Sequence, residues 1–310
     1  MLGATTGTTC GLERLMITIP AEPSHLSVFL FGAGRVGTAA AELLRRNDHE
    51  LVGVASRTPS SAERAARFLG CPVIPPEEGV AAAELVLLGV PDEAIADAAG
   101  RIATSLHAGT VVCHFAGAFG VDPLTAAAGL GGRTAALHPV QACPDVATAI
   151  ERLPGSAWGV TCAADLEEWA EELIRSGLSG LPVMVAEEAR PLWHAAAVTT
   201  SNGIAALLAL GEAILASIGV DSPAAVLGPL AEGTLANALD DGGGGATLTG
   251  PIVRGETPTI ARHLAALRAH APHLVDPYMT MSRTILAAAA RTGHLQADDE
   301  SELRSLLGSS

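Results

Sequence analysis

The sequence predicts a two-domain protein, an N-terminal α/β domain with a doubly wound parallel sheet and a C-terminal all-α domain. Three observations carry this. Short apolar runs alternate with helix-period segments from residue 25 to residue 186. A glycine-rich turn joins the first apolar run to the first helical pattern. After Ala186 the alternation stops, and long apolar helical segments follow one another.

The elements follow in order. "HLSVFLFGAGRVGTAAAELLRRN" is a buried strand, a glycine turn and a helix. "ELVGVASRT" is a second strand, and "SSAERAARFLG" a helix ended by Gly70. "CPVIP" reads as a short strand. "AELVLLGVPDEAIADAAGRIA" is strand, proline turn and helix. "GTVVCHFAG" and "RTAALHPVQ" are further strand ends. "SAWGVTC", "ADLEEWAEELIRSGL" and "LPVMVA" add strand, helix, strand. Such unbroken apolar strands suit a parallel sheet covered on both faces. Beyond it, Arg190 to Gly219 is one long helix, and "SPAAVLGPLAEGTLANAL" a second, broken at Gly228-Pro229. "DDGGGG" is a flexible loop before two more helices. The expected division is a flexible tail over 1–24, an α/β domain over 25–186, a helical domain over 187–298 and a polar tail over 299–310.

Composition narrows the function. Hydrophobic residues make up 49% and charged residues 16%, ample for a packed core. The net charge of −15 disfavours nucleic acid and anionic membrane surfaces, since both reward positive charge. All 18 basic residues counted as Lys+Arg are arginine. Lysine chemistry, whether Schiff base, P-loop cation or general acid, is therefore excluded. The five cysteines are scattered, without metal-ligand spacing, and read as reduced thiols. The N-terminus has no basic region followed by an apolar stretch, so it does not resemble a secretory signal. The most apolar run, Gly203 to Gly219, contains Glu212 and is short for a membrane span. A soluble cytoplasmic protein acting on a small molecule is the expectation.

The glycine turn is the first functional motif. Gly32, Gly34 and Gly37 form Gly-x-Gly-x-x-Gly, with Arg35 and Val36 between them, after a strand and opening a helix. This context is that of a Rossmann-type dinucleotide site, with the pyrophosphate at the helix N-terminus. About twenty residues farther on, an NAD site carries an acid for the ribose 2′-hydroxyl. Here the chain reads Ser56-Arg57-Thr58. An arginine flanked by hydroxyls favours a 2′-phosphate, so NADP(H) is the expected cofactor. The plain alternative is a surface arginine at a strand end. Val90 and Pro91, and one strand later Ala116 and Gly117, would line the same crevice.

Three stretches, "HPVQACPD", "WHAAAVTTSN" and "LTGPIVRGETPTIARHL", together with this layout, resemble one bacterial family. It is the Rossmann-like family with a C-terminal domain of unknown function, number 2520, within the 6-phosphogluconate dehydrogenase-like superfamily. The resemblance covers about residues 25–298. It implies an NADP-dependent oxidoreductase of unsettled substrate, with a helical domain that forms a homodimer. The superfamily's hydroxyacid dehydrogenases and ketopantoate reductases keep Lys-x-x-x-Asn on the first helix of the second domain. This chain departs from them: with Asn202 as the asparagine, Val198 stands at the lysine position. "LHPVQ" resembles the prephenate and arogenate dehydrogenases, where a His-Pro after a strand supplies a catalytic histidine. His138-Pro139 fits that position.

Reduction of a carbonyl or imine needs a proton donor, and without lysine histidine is the natural group. His25, His49, His107 and His294 fall at element edges and read as surface residues. His263, His270 and His273 read as solvated, and His114 as crevice-facing or buried and satisfied. His138 and His194 remain as catalytic candidates. On a helix His194, Val198 and Ser201 share one face, with Asn202 on its flank. Asn202 would orient the substrate, and Ser201 and Arg254 would bind it, Arg254 through a carboxylate. A core role for His194 and a helix-capping role for Arg254 are the plain alternatives. The function expected is hydride transfer between NADP(H) and a small polar carbonyl, hydroxyl or imine compound, held between the domains. A ketopantoate-type reductase, a catalytically idle NADP(H)-binding sensor and a deazaflavin reductase are the rivals.

Overall fold

The computed structural model describes residues 23, 25–240, 243–293 and 295–308. The tail expected over 1–24 falls almost wholly outside them, as does His294. The chain divides into two compact units, Met1–Ala197 and Val198–Ser310. The sequence placed its division at Ala186; the long helix that begins at Arg190 belongs at its start to the first unit.

Among its described residues the first unit holds seven strands: β1 Ser27–Phe31, β2 Glu50–Ala55, β3 Leu85–Leu88, β4 Val111–His114, β5 Arg133–Pro139, β6 Ala157–Cys162 and β7 Leu181–Met184. Their order is β2-β1-β3-β4-β5-β6-β7. The sheet is parallel from β2 to β5, but β6 pairs with β5 antiparallel and β7 follows β6 in parallel. The antiparallel step was not foreseen, because strand direction leaves no mark on an apolar run. The "CPVIP" segment forms no strand; only Val73 bridges to Val54. Its two prolines lack the N–H groups a ladder needs.

Helices α1 Arg35–Arg46, α2 Pro59–Leu69, α3 Pro76–Ala82, α4 Ile95–Ile102, α5 Thr125–Ala128, α6 Val146–Arg152 and α7 Glu167–Glu172 cover the sheet. Strand side chains alternate between two cores. Val28, Leu30, Leu85, Leu87, Val111 and Cys113 enter one. Phe29, Phe31, Val86, Leu88 and Val112 enter the other. This two-sided burial is why β1, β3 and β4 read as unbroken apolar runs.

Helix α8, Arg190–Ser217, opens at the edge of the first unit and runs into the second, which adds α9 Pro223–Asp240, α10 Thr257–His270, α11 Val275–Thr292 and α12 Ala297–Leu307. Helix α9 continues through Pro229, where a break was expected. One lost hydrogen bond is outweighed by the strong helix formers around it. The polar tail expected over 299–310 is largely helix α12, whose Leu303 and Leu307 are fully buried with Ile260, Leu264 and Leu286. Two leucines four residues apart make a stripe narrow enough to be hidden among acids. The segment Glu187–Ser217 is long and apolar enough, by length and composition, to cross a membrane, although the apolar run within it looked too short. Its residues are mostly exposed, as are Leu207 and Leu208 on α8 and Val226, Leu230, Leu235 and Leu239 on α9.

Candidate functional site

The glycine turn sits at the carboxyl end of β1, as a dinucleotide site requires. Gly32 has φ +99, a conformation that strains any other residue. Gly34 donates its N–H to the carbonyl of Gly89, at 2.8 Å. A Cβ at Gly34 would lie 2.6 Å from that oxygen, and one at Gly37 2.7 Å from Gly89 Cα. All three glycines are thus required by the close approach of the Gly89 backbone after β3. Gly89 is a partner not expected from the sequence; the signal was a glycine ending the run "LVLLG".

Helix α1 has Gly34 as N-cap, no side-chain cap and no acid in its first turn. Thr38 is the first residue whose N–H bonds back within the helix, to Gly34. The N–H groups of Arg35, Val36 and Gly37 have no intrahelical acceptor, and together with the helix dipole they suit an anion. Arg35 reaches across to the carbonyl of Pro144 at 3.1 Å. At the end of β2, Ser56 is half-buried and Arg57 exposed. Thr58 caps α2 through Ser61. Arg64, one turn into α2, hydrogen-bonds Ser61 Oγ at 3.0 Å and adds a second cation to this end of the unit. Val90 is half-buried and Pro91 exposed after β3; Ala116 and Gly117 are buried after β4.

Beside Gly117 the structure brings His138 and His194 together. Their rings meet edge to face, with centroids 5.4 Å apart and planes at 82°. A Cβ on Gly117 would collide with His194 Nδ1 and stand 2.8 Å from His138 Nε2. Both nitrogens therefore border one small space over the Gly117 backbone. His194 Nδ1 is buried and has no hydrogen-bond partner among the described residues. His138 Nδ1 accepts a hydrogen bond of 3.0 Å from the indole Nε1 of Trp193. Burial, then the charges of His194, Arg190 and His114, push His138 down to about 4.

Four residues outside the sequence candidates build this arrangement. His114 is fully buried; its Nε2 bonds the Gly120 carbonyl at 2.7 Å and its Nδ1 accepts from Ala116 N–H. It ties the 115–120 loop to β4, and burial holds it at about 4. Glu187 accepts from Val121 N–H at 2.9 Å. Arg190, wholly buried, donates to the carbonyls of Phe119 and Gly159, and its Nη2 has no partner among the described residues. Trp193 lies over Gly159, where a Cβ would stand 2.6 Å from the indole. Gly159 is the residue of β6 that pairs with His138 across the antiparallel step. That step, invisible in the sequence, sets the indole beside the histidine. The signals were a glycine inside "SAWGVTC" and an arginine-tryptophan pair opening an apolar helix.

Ser201, Asn202 and Arg254 belong to the second unit and are exposed. Arg254 is paired with Glu256 at 2.6 Å, in the turn between Gly250 and Gly255. His25 is exposed, as expected, but His49 is buried, its Nδ1 accepting from Leu26 N–H. A loop edge at the foot of β1 folds inward here, so the surface reading of His49 fails.

A Rossmann-like domain model matches residues 17–139. The model of a domain of unknown function, DUF2520, matches residues 156–285. The two matched segments follow one another along the chain. Its fold recurs among solved structures. A Bacteroides fragilis protein designated an NADP oxidoreductase shares 24% identity at a TM-score of 0.68, over 85% of this chain and 98% of that one. The reductive aminase of Aspergillus terreus, in complex with NADPH and ethyl-5-oxohexanoate, shares 20% at 0.62, over 91% and 99%. An imine reductase of Streptomyces aurantiacus shares 17% at 0.60, over 91% and 99%. No curated protein matches the chain in sequence.

Proposed function

We propose that this protein is an NADP(H)-dependent oxidoreductase that reduces a small carbonyl or imine compound bearing a carboxylate, or oxidises the corresponding alcohol or amine. The observation that carries the reading is the pairing of an uncapped α1 N-terminus with an exposed arginine, Arg57, at the end of β2 where an NAD site keeps an acid. The donors fit the group. Three free N–H groups of α1 take the pyrophosphate, and Arg57 takes the 2′-phosphate. Bound there, the cofactor supplies the hydride. NADPH in the Aspergillus reductive aminase supports the choice of dinucleotide.

The chain's own part is the proton. His138 and His194 border one space at the carboxyl end of the sheet, where α/β proteins place their ligands. One of them gives the reduced atom its proton, and Gly117 keeps that space open. Ser201, Asn202 and Arg254 are the proposed substrate contacts; Arg254 would exchange Glu256 for the substrate carboxylate.

The protein is proposed to act in the cytoplasm as a homodimer. The exposed leucines and valine of α8 and α9 are a face that a second copy would cover. Pre-steady-state oxidation of NADPH with a panel of oxo-acids and cyclic imines tests the activity. Turnover with a member of the panel is expected. Tight NADPH binding without turnover on any member would instead favour an idle binding protein.

A further inference from the structure

We infer that Trp193 is a positioning residue: it holds neutral His138 as the Nε2–H tautomer, so His138 presents a fixed hydrogen-bond donor to the space over Gly117. The indole N–H can only donate, and its acceptor is His138 Nδ1 at 3.0 Å. Nδ1 must then carry the lone pair, and a neutral ring must carry its proton on Nε2. Protonating Nδ1 would set two N–H groups against each other at that distance. The indole cannot easily give way. It is seated over Gly159 on β6, three residues after Arg190, whose guanidinium is itself bonded to the Phe119 and Gly159 carbonyls. The titratable and charged groups that act on the ring are His194 and Arg190 from α8 and His114 from β4, and each opposes a positive His138. Of the acids, Glu187 is bonded to the Val121 N–H, and Asp92 acts on His194.

The consequence for catalysis rests on the oxidoreductase reading; the tautomer does not. A substrate oxygen gaining negative charge as its carbon takes up hydride would accept a hydrogen bond from His138 Nε2–H without removing that proton. The proton it finally takes comes from His194, the other ring that borders this space. His138 is thus the electrostatic partner, and His194 the acid.

The test is a ligand-free 15N spectrum of the full chain with labelled histidine, the His138 signals being identified by their loss in H138Q. Wild type is expected to show a pyridine-type Nδ1 and a pyrrole-type Nε2 for His138 at every pH above about 5. In Trp193→Phe the two tautomers should mix, and the His138 midpoint should climb toward the ordinary histidine value. A proton on Nδ1 in wild type overturns the inference, and that spectrum decides even if the variant fails to fold. An unchanged tautomer and midpoint in Trp193→Phe overturns it as well. Failure of NADPH to bind would overturn the function and leave the tautomer standing.

Discussion

His138 and Gly159 face each other across the antiparallel β5–β6 pair, and Trp193 fills the gap that Gly159 leaves. A side chain at 159 would displace the indole from His138. Gly159→Ala is expected to destabilise the protein by about 1–3 kcal/mol, as overpacking does. Its emission from Trp193 should shift toward that of a solvated indole. Denaturant titration followed by fluorescence checks both, and wild-type stability with an unchanged spectrum would contradict the packing described.

Arg57→Ala should separate the two nicotinamide cofactors. Loss of a charge-assisted contact to a 2′-phosphate is expected to weaken NADPH on the order of 10–100-fold. NADH, which lacks that phosphate, should bind nearly as before. Calorimetric titration with both cofactors is the measurement, and equal losses would sink the assignment of Arg57.

Acid should unfold this protein through two buried histidines. His114 and His138 are both held at about 4, each first of all by burial. Both are neutral in the native state at pH values where an unfolded histidine, with its ordinary value near 6.5, is charged. The unfolded state then binds more protons, so stability rises with pH across this window. Their contribution is present above about 6.5 and is lost as pH falls toward about 4. Each should add a slope of roughly 1.4 kcal/mol per pH unit. Unfolding free energies from pH 4 to 7 test this, and His138→Gln should remove one histidine's share of the slope.

The proposed homodimer predicts its own disruption. Leu207 on α8 and Leu230 on α9 are 41% and 67% exposed in the single chain. Light scattering should give wild type twice the chain mass, and L207E with L230E the mass of one chain. A wild-type monomer at working concentration would remove the dimer.

His138→Ala and His194→Ala, compared on one substrate found by the panel, should divide the two roles. Both should slow hydride transfer, by about 10²–10⁴-fold where a proton donor is lost. NADPH affinity should stay near wild type in each. Full activity in His194→Ala would return the proton to another group.

Much of this molecule was readable from residue order alone. The alternation of apolar runs and helical patterns, and its end after Ala186, located the α/β part and the helical part. Gly32, Gly34 and Gly37 marked the turn, and Ser56-Arg57-Thr58 the end of β2. These are local signals, because backbone period, turn geometry and helix ends are set by neighbours in sequence. "WHAAAVTTSN" also pointed to His194, and "LHPVQ" to His138. What residue order could not carry was their meeting. His138 and Trp193 are 55 positions apart and bond only because β6 turns back against β5 and places Gly159 opposite His138. His114 and Arg190 gained their parts in the same way, through carbonyls of Gly120, Phe119 and Gly159 that no pattern announces. The sequence by itself determined which residues were available for the chemistry, a set with histidines and no lysine. The tertiary structure decided which nitrogen of His138 is free to use, because a tautomer is set by the donor that packing brings to it.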